Sequence, residues 1–206
     1  MGWDGDPATL VEIPAKELSV SFVNRPRGGG RIGVFIEPCP QLNSIELNAR
    51  GTMRAKSAEA ILAGLPLHMA ERELKVIGKE LAWEEACLNV RHEPGAYGPG
   101  DVLLVTLAYE NVTEVFAGFG ERGRPAEAVA KEPVTEVKRY LKSKAVVGEH
   151  LADQLLLPLA LAGCGSVITL TPSSHTRTNM AVIEKFVPIR FDCREIEPDL
   201  WRIVVR

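Results

Sequence analysis

The sequence predicts an α/β (α+β) fold, with short strands and amphipathic helices built around mixed sheets. Three observations lead to this. Apolar and polar side chains alternate with period two in Leu18–Val23 and again in Arg31–Ile36, as half-buried strands require. Two later segments, 66–81 and 125–143, carry apolar residues at helical spacing instead. From 145 onward an apolar run at 155–162 is followed by strand-like stretches at 166–171, 189–196 and 200–205. The 206 residues suffice for one ordinary core, or a core with a small inserted module.

The first two strands are expected to pair. Between them, Asn24-Arg25-Pro26-Arg27-Gly28-Gly29-Gly30 joins two guanidiniums to glycines whose backbone can approach a phosphate closely. A flexible hairpin loop explains the same residues, because glycine is also the commonest turn residue. A strand is expected through Met53 to Leu62, with a turn at Gly64-Leu65-Pro66. The helix that follows, to Leu81, has Pro66 in its first turn, an apolar stripe of Leu67, Ala70, Leu74 and Ile77, and an outer Glu71–Lys75 pair. His68 on it reads as a surface or packing residue. Strands at 86–90, 102–109 and 114–119 come next, with a glycine- and proline-rich loop at 93–100. The segment 125–143 reads as a helix in which Pro133 removes a hydrogen bond, so a kink or break is expected there. Helices at 151–162 and 178–186 and the three late strands complete the chain, with a turn at Glu197-Pro198-Asp199.

Composition narrows the class. A formal net charge of −3 and a pI near 5.9 give no basic field, so any nucleic-acid surface would be a local patch. The four cysteines (39, 87, 164 and 193) contain no C-x-x-C pair, and the four histidines (68, 92, 150 and 175) are equally scattered, which argues against a zinc site. With neither a signal peptide nor an apolar run of membrane length, the reading is a cytoplasmic protein with reduced thiols and no membrane partner.

The chemistry concentrates in two polar clusters at the edges of buried elements. Gly148-Glu149-His150-Leu151-Ala152-Asp153-Gln154 precedes the apolar run, and Pro172-Ser173-Ser174-His175-Thr176-Arg177-Thr178-Asn179 follows the strand at 166–171. By spacing alone, His175 reads as an exposed loop histidine beside a helix cap. Thr176, Thr178 or Asn179 would be that cap, just before the periodicity of Met180, Ile183 and Phe186.

These two clusters resemble the C-terminal signature of the RNA 3'-terminal phosphate cyclases. The resemblance extends through Arg27-Gly28-Gly29-Gly30, Leu62-Ala63-Gly64-Leu65-Pro66, Ala70-Glu71-Arg72-Glu73, Gly98-Pro99-Gly100 and Glu136-Val137-Lys138-Arg139-Tyr140-Leu141. It covers nearly everything after about residue 18. Nothing matches the family's long N-terminal portion with its further ATP and RNA contacts, and the resemblance therefore implies the C-terminal part of a cyclase. It implies repeated α/β units of a main domain at 1–49 and 145–206, with a small inserted α/β domain at 50–144. Pro133 departs from the family pattern. An incomplete main domain would expose an apolar edge, which implies either self-association as a homo-oligomer or a need for the N-terminal portion.

The resemblance also implies the chemistry. His175 would attack the α-phosphorus of ATP, releasing pyrophosphate and leaving an adenylyl-histidine. AMP would pass to an RNA 3'-terminal phosphate, and the neighbouring 2'-hydroxyl would close a 2',3'-cyclic phosphate as AMP leaves. A divalent cation, Mg2+ or Mn2+, would offset the triphosphate charge. His150, Leu151, Ala152, Asp153 and Gln154 would contact the adenosine: His150 by stacking where many relatives have tyrosine, Asp153 and Gln154 by reading the base. Arg177 is a weaker candidate for phosphate charge. The alternative is a catalytically inactive fragment or a non-enzymatic RNA-binding or ribosome-assembly relative; the presence of His175 opposes the second, whereas the missing N-terminal portion favours a chain that is weakly active or inactive unless that part is supplied in trans.

Overall fold

The computed structural model describes residues 21–25, 29–33 and 42–206 except 97. Strands β1 (Ser21–Arg25) and β2 (Gly29–Gly33) form the expected antiparallel hairpin, with Ser21 opposite Gly33 and Arg25 opposite Gly29. Residues 18–20, 26–28 and 34–36 of that reading lie outside the described residues, and with them the middle of the proposed anion loop.

Beyond the hairpin, the described residues form two four-stranded sheets, each with two helices on one face. The first has strand order β5-β4-β6-β7. β4 (Met53–Ala63) runs parallel to β5 (Leu88–His92) and antiparallel to β6 (Gly100–Tyr109), and β6 turns back into β7 (Thr113–Phe119). Alternation decides which face is covered. Ala58, Ala60 and Leu62 from β4 and Leu103, Val105 and Leu107 from β6 point one way. Ala70, Leu74 and Ile77 of α1 (Leu67–Leu81) and Val134, Val137 and Tyr140 of α2 (Ala126–Lys142) pack onto them. Leu67 lies outside the expected stripe at 46% exposure, and Glu73 is buried instead. Pro66 sits one place before the helix as its N-cap. Ala86 and Cys87 belong to a single 3-10 turn (Glu85–Cys87) rather than to β5.

The break that was one expectation at Pro133 does not occur: α2 is continuous from Ala126 to Lys142. The neighbouring strand approaches the helix closely at this point. A side chain at Gly118 of β7 would put its Cβ 2.6 Å from the Val129 carbonyl oxygen and 3.2 Å from Pro133 Cδ. The bare glycine lets the strand close on the helix turn whose carbonyl the proline leaves without its amide partner. The ring is buried there instead of forcing a break.

The second sheet has strand order β3-β8-β10-β9. β3 (Ile45–Leu47), not anticipated from the sequence, runs parallel to β8 (Gly165–Thr169), and β10 (Leu200–Val205) lies antiparallel between β8 and β9 (Phe191–Glu197). Leu156 and Leu159 of α3 (Glu149–Ala162) and Met180 and Ile183 of α4 (Ser174–Phe186) cover Val167, Ile203 and Val205. Leu157, Leu161, Val182 and Phe186 on these helices remain exposed, Phe186 at 83%.

Arg50 ties the two sheets together where the chain passes between them. Its guanidinium donates to the carbonyls of Ala145, Tyr140 (2.7 Å) and Ser143 (3.1 Å), and lies 3.7 Å from the centre of the Tyr140 ring. Arg139 of α2 grips Asp199 at 3.0 and 2.6 Å, and Thr171 adds a hydroxyl bond at 2.7 Å. The guanidinium beside Asp199 holds that carboxyl well below the usual range, against the opposing effect of burial. Among the described residues, Cys87, Cys164 and Cys193 are free thiols, and no helix is long and apolar enough to cross a membrane.

Candidate active site at two helix N-termini

Both polar clusters begin helices earlier than their apolar periodicity suggests. The expected starts at 151 and 178 move to Glu149 and Ser174, so His150 and His175 each occupy a first helical turn. For α4 the cause is Ser173. Its hydroxyl accepts the Thr176 amide at 3.1 Å and meets the Thr176 hydroxyl at 2.9 Å. That corrects the expected cap. Thr176 is buried, Thr178 donates to the Ser174 carbonyl at 2.9 Å, and Asn179 turns toward α3.

The two N-termini face each other across an open cleft of about 390 Å³, lined by Glu149, His150, Asp153, Gln154, Ser173 and His175. Asp153 makes a polar contact between the helices. Its Oδ1 lies 3.2 Å from His175 Nδ1 and accepts from Asn179 Nδ2 at 3.3 Å. Asn179 follows His175 by four positions, one helical turn, and so shares its face. A neutral imidazole protonated on Nδ1 carries its lone pair on Nε2. The His175 side chain is 79% exposed, and among the described residues Nε2 has no hydrogen-bond partner. No acidic residue occupies the first turn of α4, so its N-terminal amides and dipole favour an anion beside this nitrogen.

The other candidates divide by burial. His150 and Gln154 are exposed on the cleft, with His150 Nε2 3.8 Å from Glu136 Oε1. Burial raises the Glu136 carboxyl above its usual range, opposed by the nearby His150. Leu151 packs against the core and Ala152 is 1% exposed, so their side chains serve the helix and leave only backbone for a ligand. Arg177 points elsewhere: its guanidinium stacks 4.6 Å from the centre of the Trp201 ring. Among the described residues, no group of three or more His, Cys, Asp and Glu side chains could hold a metal ion.

A family model described as RNA 3'-terminal phosphate cyclase matches residues 19–193, which includes both clusters. The chain belongs to the RNA 3'-terminal phosphate cyclase family. Among curated cyclases of that name, one from Salmonella enteritidis is 45% identical over 172 residues, covering 84% of this chain and 50% of the relative. One from Salmonella gallinarum gives the same figures, and one from Salmonella agona is 45% identical over 170 residues, with coverage of 82% and 49%. The chain thus spans about half the length of the curated cyclases it matches.

Proposed function

We propose that this chain carries the nucleotidyl-transfer centre of an ATP-dependent RNA 3'-terminal phosphate cyclase, with His175 as the nucleophile. The observation that carries this is the Asp153–His175 contact at 3.2 Å, with the imidazole exposed on the cleft in the first turn of α4. Nε2 attacks the α-phosphorus of ATP in line with the leaving pyrophosphate, forming a phosphoramidate N–P bond as the P–O bond breaks. Asp153 stabilises the positive charge that develops on the ring. An oxygen of the RNA 3'-phosphate then takes the adenylyl group from Nε2. The 2'-hydroxyl attacks the activated phosphorus and gives up its proton to solvent, and AMP leaves with the electron pair of the broken P–O bond. His150 stacks on adenine and Gln154 supplies amide groups to its edge, both exposed on the same cleft. Mg2+ or Mn2+ would offset phosphate charge when bound.

The two sheets favour the proposed division into main-domain segments at 1–49 and 145–206 around an insert at 50–144, since β3 joins β8 and the strands between them form a sheet of their own. Leu157 and Leu161 on α3 and Val182 and Phe186 on α4 are exposed apolar side chains.

The test is an RNA oligonucleotide ending in a 3'-phosphate, incubated with ATP and Mg2+. Conversion to a phosphatase-resistant cyclic end by the wild type and not by His175→Ala supports the reading, and equal conversion by both contradicts it.

A further inference from the structure

α3 starts without a local cap. Gly148 occupies its N-cap position and has no side chain to satisfy an amide, yet the Gly148 N–H is buried. It donates instead to Oε1 of Glu114 at 2.5 Å, from a strand 34 residues earlier in the chain. A capping box supplies this bond from the third helical position; here that position is Leu151, and a carboxylate of the other sheet performs the task. The fit is close, since a Cβ on Gly148 would lie 3.0 Å from Glu114 Oε2.

We propose that Glu114 is a positioning residue for nucleotide binding, latching the N-terminal turn of α3 to β7 so that His150, Asp153 and Gln154 keep their places at the cleft. This rests on the nucleotide reading given above. Glu114 is 3% exposed, so its carboxylate has no solvent to fall back on if the bond is lost. A cavity of about 170 Å³ joins it to His150 and is lined also by Glu136, Arg139 and Glu149. Moving the turn displaces Asp153 as well, and with it the partner of His175 Nδ1.

The latch is sensitive to protonation. Burial pushes the Glu114 carboxyl up to about 7, against the opposing influence of the Gly148 amide, Arg50 and His150. Tyr140 faces the same carboxylate from α2. The ionised form accepts the amide most strongly.

Two readouts on the full chain test this from mildly acidic to mildly alkaline pH: the amide resonance of Gly148, and ATP affinity by calorimetry. Wild type, Glu114→Gln and Glu114→Ala are compared, with Gln154→Ala as a control for the nucleotide reading. In the wild type the Gly148 resonance moves with a midpoint near the Glu114 value, and in Glu114→Gln that movement disappears. Glu114→Ala weakens ATP binding about tenfold, the loss expected for one buried charge-assisted hydrogen bond, and Glu114→Gln restores most of it while flattening the pH dependence. Wild-type affinity in Glu114→Ala, with Gln154→Ala weakened, overturns the positioning role alone. A wild type that binds no ATP overturns the nucleotide reading and the proposal with it.

Discussion

Oδ1 of Asp153 lies between the Nδ1 of His175, at 3.2 Å, and the Nδ2 of Asn179, at 3.3 Å, so one carboxylate oxygen joins α3 to the face of α4 that carries the proposed nucleophile. The arrangement parallels the acid that fixes a catalytic histidine's tautomer in hydrolase triads. Asp153→Asn is expected to slow transfer of label from α-labelled ATP to the protein about 100-fold or more, since an amide no longer favours one tautomer or the charged ring. Asn179→Ala, which leaves the carboxylate in place, is expected to cost about tenfold. Single-turnover labelling distinguishes the two.

Gly118→Ala is expected to destabilise the fold by about 2–3 kcal/mol, because the added methyl meets the backbone carbonyl of Val129 rather than a side chain that can swing away. Urea unfolding checks it. Alanine at the exposed Gly123, where a side chain would meet nothing, provides a comparison dominated by its positive φ of 86°.

The two sheets of the structure show what could and could not be read from the chain. β4, β6 and β7 were legible because alternation along 53–62, 102–109 and 114–119 reports a single covered face. β3 was not, since three residues carry no usable period and owe their conformation to a parallel partner 120 residues away, Glu46 beside Ser166. The α4 start was misplaced because Ser173 was passed over as a cap in favour of residues nearer the apolar stripe. The family signature identified His150, Asp153 and His175 as a group, yet it gave Asp153 only to the adenine. Its contact with His175 depends on how two helices 22 positions apart in sequence meet in space. The packing of Pro133 against Gly118 was hidden for a similar reason, since the glycine lies on another element.

Glu73 and Asp101 make the fold's stability pH-dependent. Glu73 is fully buried and Asp101 5% exposed, and among the described residues their carboxyl oxygens have no other donor, so a proton held between them satisfies the pair. Burial, then the hydrogen bond and charge of Asp101, push the Glu73 carboxyl up to about 8. Its folded value lies above the unfolded one of about 4.5, so the native state binds the extra proton. The associated stability is fully present below the unfolded value and is lost as pH rises through the folded one. Tm of the wild type is therefore expected to fall between about pH 5 and pH 8 relative to Glu73→Gln, whose amide can donate to Asp101 without titrating. Parallel melting curves at the two ends of that range would contradict the shared proton.

Arg50→Ala is expected to cost about 2–3 kcal/mol, because the Tyr140 and Ser143 carbonyls lose charged donors at the passage between the sheets. Arg50→Lys is expected to recover little of this, as one ammonium cannot reach all the carbonyls that the planar fork spans. Thermal melts of the two variants check the difference.

The account stands most directly on whether His175 becomes covalently adenylylated. Purified wild type and His175→Ala, both confirmed as folded, are incubated with α-labelled ATP and Mg2+, and the protein-bound label is tested for stability in acid and alkali. The account predicts label on the wild type alone, lost in acid and retained in alkali as a phosphoramidate requires. Equal labelling of both proteins, or no label on either, would contradict it.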